Sequence, residues 1–316
     1  MEVIHNITEP GFKYPRPTTL TIGNFDGVHK GHISLIHRIL EKSRKENTAP
    51  VLITFDPHPL TVVNPSKTPS LLSTTDEKLR ILETFKVPVV VLIHFNDEIS
   101  GQSADWFLND ILIKSLDARH IIIGSNHAFG KDRKGNVSYL REVLPHKNIE
   151  LEVVESIHES GQMVSSSEVR DAVAGNDFES AIEMLGHPYP IFGKIISGSG
   201  VGKTMGYPTI NLEVSERKLL PPHGVYACKI DFTRETVGGM LYVGTRPTFG
   251  GYKDVVEISC FCSLDIEPGE YLEAYALKYF RADIKFESRD LLISQIKRDE
   301  QTISAYLKES KIKLTI

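Results

Sequence analysis

Short runs of β-branched residues alternate with helical spacings through the first part of the chain, and this double period limits the fold more than any other feature of the sequence. TLTI at 19–22, VLITF at 51–55, VPVVVLIHF at 87–95 and HIIIG at 120–124 are nearly unbroken apolar runs. Strands buried on both faces, as in a parallel sheet, read this way, whereas a half-exposed strand would alternate. Between them Ile33, Ile36 and Leu40 recur at helical intervals, and Ser103 stands as an N-cap before ADWFLNDILIKSL. Strand, helix and strand repeated in this way predict a doubly wound α/β sheet.

The pattern changes near LGHPYP at 185–190, where Gly186, Pro188 and Pro190 end a helical run from Val169 to Leu185. Beyond it, KIISG, VYACKIDF, GGMLYVG, VEISCFCSL and EAYALKYF are short alternating segments broken by Gly and Pro, as in an antiparallel barrel or sandwich. ESRDLLISQIKRDEQTISAYLKES returns to helical spacing and predicts a closing helix. A chain of 316 residues exceeds what one core usually supports, so two domains are expected, 1–186 and 187–316. The net charge of −5 offers no general basic field and argues against a nucleic-acid partner. The absence of a long apolar run argues against a membrane span and points to a cytoplasmic protein, while self-association is left open. Cys228, Cys260 and Cys262 lack zinc partners at ligand spacing and read as reduced, structural residues.

Two segments carry chemistry. GNFDGVHKGH at 23–32 follows one predicted strand and opens a predicted helix, at the carboxyl edge where open α/β sheets bind ligands. Its glycines let the backbone approach a phosphate, unpaired N–H groups at a helix start suit anionic oxygens, and His29 and His32 can face the same group. In the second half, SGSGVGKT at 197–204 has Ser197 where a P-loop needs glycine, and MGYPTINL follows it in place of a helix. Thr209 and Asn211 alternate onto one face of an extended segment. In VVEISCFCSL, Val256, Ile258, Cys260, Cys262 and Leu264 fall on one face, expected to be the core, and Glu257 on the other.

G-x-F-D-x-x-H-x-G-H is similar to the signature of nucleotidylyltransferases. Together with TFDPHP at 54–59 and SSSEVRDAVAGNDFESAIEMLG at 165–186, it resembles the bacterial bifunctional riboflavin kinase/FAD synthetases. The glycine loop read through to PTIN, with GTRPTFGG at 244–251 and YFRADIKFES at 279–288, resembles the riboflavin kinase part of the same family. The resemblance implies a nucleotidylyltransferase-type doubly wound parallel sheet followed by an antiparallel β-barrel with a C-terminal helix. It implies that riboflavin is phosphorylated to FMN by ATP, and that AMP is then transferred from ATP to FMN to give FAD and pyrophosphate.

By the same resemblance His29 and His32 stabilise charge on the α-phosphate, and Gly23, Phe25, Asp26, Asn126, Ser166, Ser167 and Arg170 bind nucleotide. Asn24 contacts FMN, and Gly198, Gly202, Lys203 and Gly206 cover ATP in the second half. Thr209 and Asn211 hold Mg²⁺, Glu257 is the general base, and Arg281 closes over flavin. The chain departs from the family at His127 and Ala128, within GSNHAFG at 124–130, where an aromatic and a basic residue are usual; this predicts slower adenylyl transfer. The competing readings are a chain with one active transferase, the adenylyl half being the impaired one, and a flavin-binding regulator without turnover.

Overall fold

A computed structural model describes residues 1–159, 161–198, 206–232, 235–248, 251–262 and 266–310, with backbone alone at 232, 235, 246–248 and 251–253. It contains two compact units, Met1–Ser70 with Lys78–Val164, and Leu71–Glu77 with Ser165–Ile316.

The first unit is a six-stranded sheet of β1 (Glu2–Ile4), β2 (Thr18–Ile22), β3 (Ala49–Asp56), β4 (Val89–His94), β5 (Ala118–Gly124) and β6 (Glu150–Val154). Their order is β1-β4-β3-β2-β5-β6 and every pairing is parallel. Successive residues explain the continuous apolar runs: Val51, Ile53, Val91 and Ile121 pack on one side, while Leu52, Val90 and Ile122 pack on the other. Helix α1 (Lys30–Glu46) covers the second side through Leu35, Ile36 and Ile39. The sequence reading has no counterpart for β1 or β6; three residues are too few to show a period, and β6 is only half-buried, so it lacks a solid apolar run. Ser103 does cap its helix, accepting from Trp106 N at 3.0 Å, but that helix widens to π geometry over Phe107–Ser115.

The second unit is a closed antiparallel barrel of β7 (Tyr189–Ile196), β8 (Ile210–Val214), β9 (Gly224–Phe232), β10 (Glu235–Thr248), β11 (Gly251–Cys260) and β12 (Tyr271–Ala282), in the order β7-β8-β11-β10-β9-β12. Helix α2 (Thr75–Thr84) begins in this unit, and its Glu77 carboxylate accepts from the Phe192 backbone N–H at 2.8 Å and from Lys218 Nζ at 2.9 Å. Helices α3 (Ser166–Ala174) and α4 (Phe178–Leu185) replace the single helical run, because Asn176 turns left-handed at φ 61° and Asp177 recaps the chain. The expected module boundary at 186/187 and the compact units differ by Leu71–Glu77 and by these two helices. They belong to the barrel unit, where the Phe178 ring stands 6.2 Å from Tyr189 and 5.5 Å from Tyr226. Helix α5 (Arg289–Glu309) lies over β9 and β10, with Ile303 packed against Val225, Ala227 and Met240.

Of the face expected to form the core, Val256 and Ile258 are buried as predicted. Cys262 is not: the strand ends at Cys260, and Cys262 lies beyond it, exposed. Leu264 lies outside the described residues.

Candidate active sites

The first site forms where β2 ends and α1 begins. Residues 25–28 make a turn with three left-handed positions, Phe25 at φ 50°, Gly27 at 77° and Val28 at 43°. Phe25, Asp26 and Val28 are nonetheless buried, so packing holds a backbone that side chains ordinarily avoid. His29 is the N-cap residue of α1 without capping it through its side chain. His29 and His32 are stacked at 3.8 Å and 20°, and Phe25 stands 4.8 Å from His32, tilted by 46°. Gly31 permits this stack, since a Cβ there would lie 3.1 Å from the His29 ring. Burial, then the neighbouring His29 and Lys78, push the His32 imidazole well below its usual pKa. His32 Nδ1 is buried without a hydrogen-bond partner among the described residues. A buried nitrogen in this state is ready to meet a ligand.

Gly23 donates to the Ile53 carbonyl at 3.0 Å, joining this turn to β3. The Asn24 amide pairs with His58 Nε2 at 3.2 Å. His58 therefore joins the site from the TFDPHP run, a residue that periodicity could not place because it sits on a loop. Asn126 follows β5 at the same carboxyl edge of the sheet, exposed, with its carbonyl accepting from Arg133 at 3.3 Å. Ser166, Ser167 and Arg170 lie on the first turns of α3 in the second unit, where Ser165 provides the cap.

The second site is a row across the outside of the barrel. Asn211 pairs with Glu257, Glu257 with Tyr242, Tyr242 with Val225, and Val225 with Arg281, so all five lie at one level of the barrel. Gly198 closes on this row, since a Cβ there would lie 2.2 Å from Asn211 Nδ2. Thr209 precedes β8 by one residue, two positions from Asn211. Glu257 is half-buried. Gly206 is exposed in a left-handed conformation at φ 82°, while Gly202 and Lys203 lie outside the described residues.

Arg281 is tied to α5: its Nε and Nη2 donate to Asp299 Oδ2 at 2.9 and 2.7 Å, and Nη1 donates to the Ala282 carbonyl at 3.0 Å. Three of its five N–H groups are thus engaged. Tyr242 is a member of the row that motif reading overlooked, because a tyrosine in an alternating strand looks like core. Burial, then Asp283 and Glu257, push its phenol up to about 12, so it remains a neutral hydrogen-bond donor.

The profile of the FAD synthetase family matches residues 12–168, and that of the riboflavin kinase family matches residues 185–307. The bifunctional riboflavin kinase/FMN adenylyltransferase of Buchnera aphidicola subsp. Schizaphis graminum is 33% identical over 96% of this chain and 97% of its own length. The Escherichia coli K12 protein of the same description is 32% identical, covering 95% of each chain. A crystal structure from Streptococcus pneumoniae, described as a macrolide-efflux protein, matches with a TM-score of 0.85 at 28% identity, over 96% of this chain and 99% of that one. Among the residues described here no helix is long and apolar enough to cross a membrane. The parallel sheet, the closed barrel with its C-terminal helix, and two family profiles in tandem agree, and the chain belongs to the bifunctional riboflavin kinase/FMN adenylyltransferase family.

Proposed function

We propose that the two activities use separate sites, adenylyl transfer at the β2–α1 turn of module 1–186 and riboflavin phosphorylation at the outer barrel row of module 187–316. The observation that carries this reading is that each family segment contains its own cluster: the stacked His29 and His32 in one, and the level row from Asn211 to Arg281 in the other.

In adenylyl transfer, an FMN phosphate oxygen attacks the α-phosphorus of ATP. A new P–O–P linkage forms, and the bond to the β-phosphate breaks to release pyrophosphate. His29 and His32 meet the developing negative charge with donors fixed in advance, and Gly23, Phe25 and Asp26 shape the loop around the nucleotide. Asn24 takes the FMN phosphate, with Asn126 in the adjoining strand-end loop. To Ser166, Ser167 and Arg170 we assign triphosphate binding on the family resemblance alone.

In the kinase reaction, Glu257 takes the proton of the terminal ribityl hydroxyl as that oxygen attacks the γ-phosphorus and ADP departs. Thr209 and Asn211 offer a hydroxyl and an amide oxygen, hard donors that suit Mg²⁺, and Gly198 leaves the Asn211 side chain room. When bound, the ion neutralises phosphate charge. Gly198, Gly202, Lys203 and Gly206 cover ATP, and Arg281 has two N–H groups beyond its three structural bonds to offer flavin. ATP and riboflavin are metabolites of the cytoplasm, where we place the protein.

The test supplies riboflavin, ATP and Mg²⁺ and separates the flavins over time. His29→Ala/His32→Ala accumulates FMN without FAD. Glu257→Ala makes no FMN, yet converts supplied FMN to FAD. Loss of both activities in either folded variant would overturn the assignment of one site to each activity.

A further inference from the structure

We infer that Lys78 is a positioning residue for adenylyl transfer, pinning the carbonyl ends of β2 and β3 together so that the strained turn at 25–28 presents His29 and His32 to the reacting phosphates. The inference rests on the placement of adenylyl transfer at those two histidines.

Lys78 is 6% exposed, an unusual condition for an ammonium group. Its Nζ donates to the Asn24 carbonyl at 2.9 Å, to Thr54 Oγ1 at 3.1 Å and to the Phe55 carbonyl at 3.3 Å. Thr54 Oγ1 donates in turn to the same Asn24 carbonyl at 3.0 Å. These contacts match the three donors of an ammonium group, and they join the turn just after β2, within GNFDGVHKGH, to the end of β3, within TFDPHP. Asn24 is the hinge. Its carbonyl is held from below by Lys78 and Thr54, its side chain meets His58, and the next residue, Phe25, already has a left-handed backbone. Two non-glycine residues at positive φ persist only where their surroundings over-determine them, and Lys78 supplies part of that determination.

The cation also contributes charge. Burial pushes the Lys78 pKa down to about 8, against the pull of Asp26 and Asp56, and Lys78 in turn helps hold His32 neutral. Asp26 faces Lys78 from the β2–α1 turn, Asp56 from the end of β3, and His32, with His29 stacked on it, from α1. A fixed positive charge beneath a phosphate site strengthens every donor above it, because the surroundings screen it poorly. Lys78 need not touch substrate to act in this way.

The experiment compares Lys78→Met and Lys78→Arg with the parent full-length chain, measuring FMN to FAD and riboflavin to FMN separately. Urea unfolding followed by Trp106, which lies in the same unit as Lys78, reports whether each variant is folded. Lys78→Met is expected to lower kcat for FAD formation about 100-fold, the usual scale of a misplaced catalytic group, with KM for FMN and ATP little changed and the kinase rate retained. A residue that merely stabilised the fold would lower the active fraction of protein without altering the pH profile.

In the parent, kcat for FAD formation should fall as pH rises through about 8, where Lys78 loses its proton. Lys78→Arg does not titrate in that range, so its alkaline limb should move upward. An unmoved limb in Lys78→Arg, or FAD formation near the parental rate in Lys78→Met, would overturn the inference. If Lys78→Met fails to fold, the pH profile of Lys78→Arg decides alone. Retained FAD formation in His29→Ala/His32→Ala would instead overturn the site placement, an outcome distinct from either.

Discussion

By the resemblance His127 and Ala128 stand where an aromatic and a basic residue are usual, and the surroundings of His127 bear on that reading. The ring lies 5.9 Å from Phe129, tilted by 36°, and its Nε2 is buried without a hydrogen-bond partner among the described residues. Burial, with Arg133 nearby, pushes its pKa down to about 4, so at neutral pH it is an uncharged ring, as the aromatic implied by the resemblance would be. The character the resemblance would add is a positive charge at 128. Ala128→Arg is therefore expected to lower KM for FMN in FAD formation roughly tenfold, the scale of one charge-assisted hydrogen bond, without changing the kinase rate. Steady-state kinetics with FMN as the varied substrate checks this. Motif reading singled out Asn211, Glu257 and Arg281, which the strand register brings to one level of the barrel, but not Tyr242, whose place on that level cannot be read from one strand.

Among the elements, α2 shows how a signal present in sequence can be missed. Thr74 and Glu77 form a reciprocal capping box: Glu77 N donates to Thr74 Oγ1 at 3.3 Å, and Thr74 N to Glu77 Oε2 at 2.7 Å. T-x-x-E is a legible helix start. What could not be read is the second use of the same carboxylate, an ion pair with Lys218 in which both side chains are fully buried. Lys218 also donates to the Leu72 carbonyl at 2.6 Å and lies 4.2 Å over the Tyr189 ring. Removing one charge leaves the other stranded, so Glu77→Leu should destabilise the barrel unit by about 3–5 kcal/mol. Adding Lys218→Met should recover part of that loss. Equilibrium urea unfolding of the single and double variants checks both values.

For the molecule as a whole, the buried histidines of the first unit make its stability depend on pH. His32 and His127 both have pKa values depressed below the ordinary 6.5 by burial. Between those depressed values and 6.5 the unfolded chain binds more protons than the folded one, so stability rises with pH across that window and is lost as pH falls below 6.5. His127 by itself, with its value near 4, is expected to cost about 2 kcal/mol between pH 7 and 5, and His32 adds to that loss. Urea unfolding followed by Trp106, the one tryptophan of the sequence, reads it from within this unit. His127→Phe should flatten the slope.

The sequence by itself determined the parallel sheet, an antiparallel barrel or sandwich, the closing helix and both motif clusters, because period and composition record which faces are buried and glycine-rich motifs record close backbone approach; closure into a barrel was an implication of the resemblance that the structure bears out. It did not determine that the chain passes between units at Ser70/Leu71, Glu77/Lys78 and Val164/Ser165. Nor did it reveal that α3 and α4 pack with the barrel, or that one buried lysine joins two strand ends. Those are contacts between residues far apart in the chain, decided by how packed surfaces and buried charges are satisfied in three dimensions, and local sequence carries no record of them.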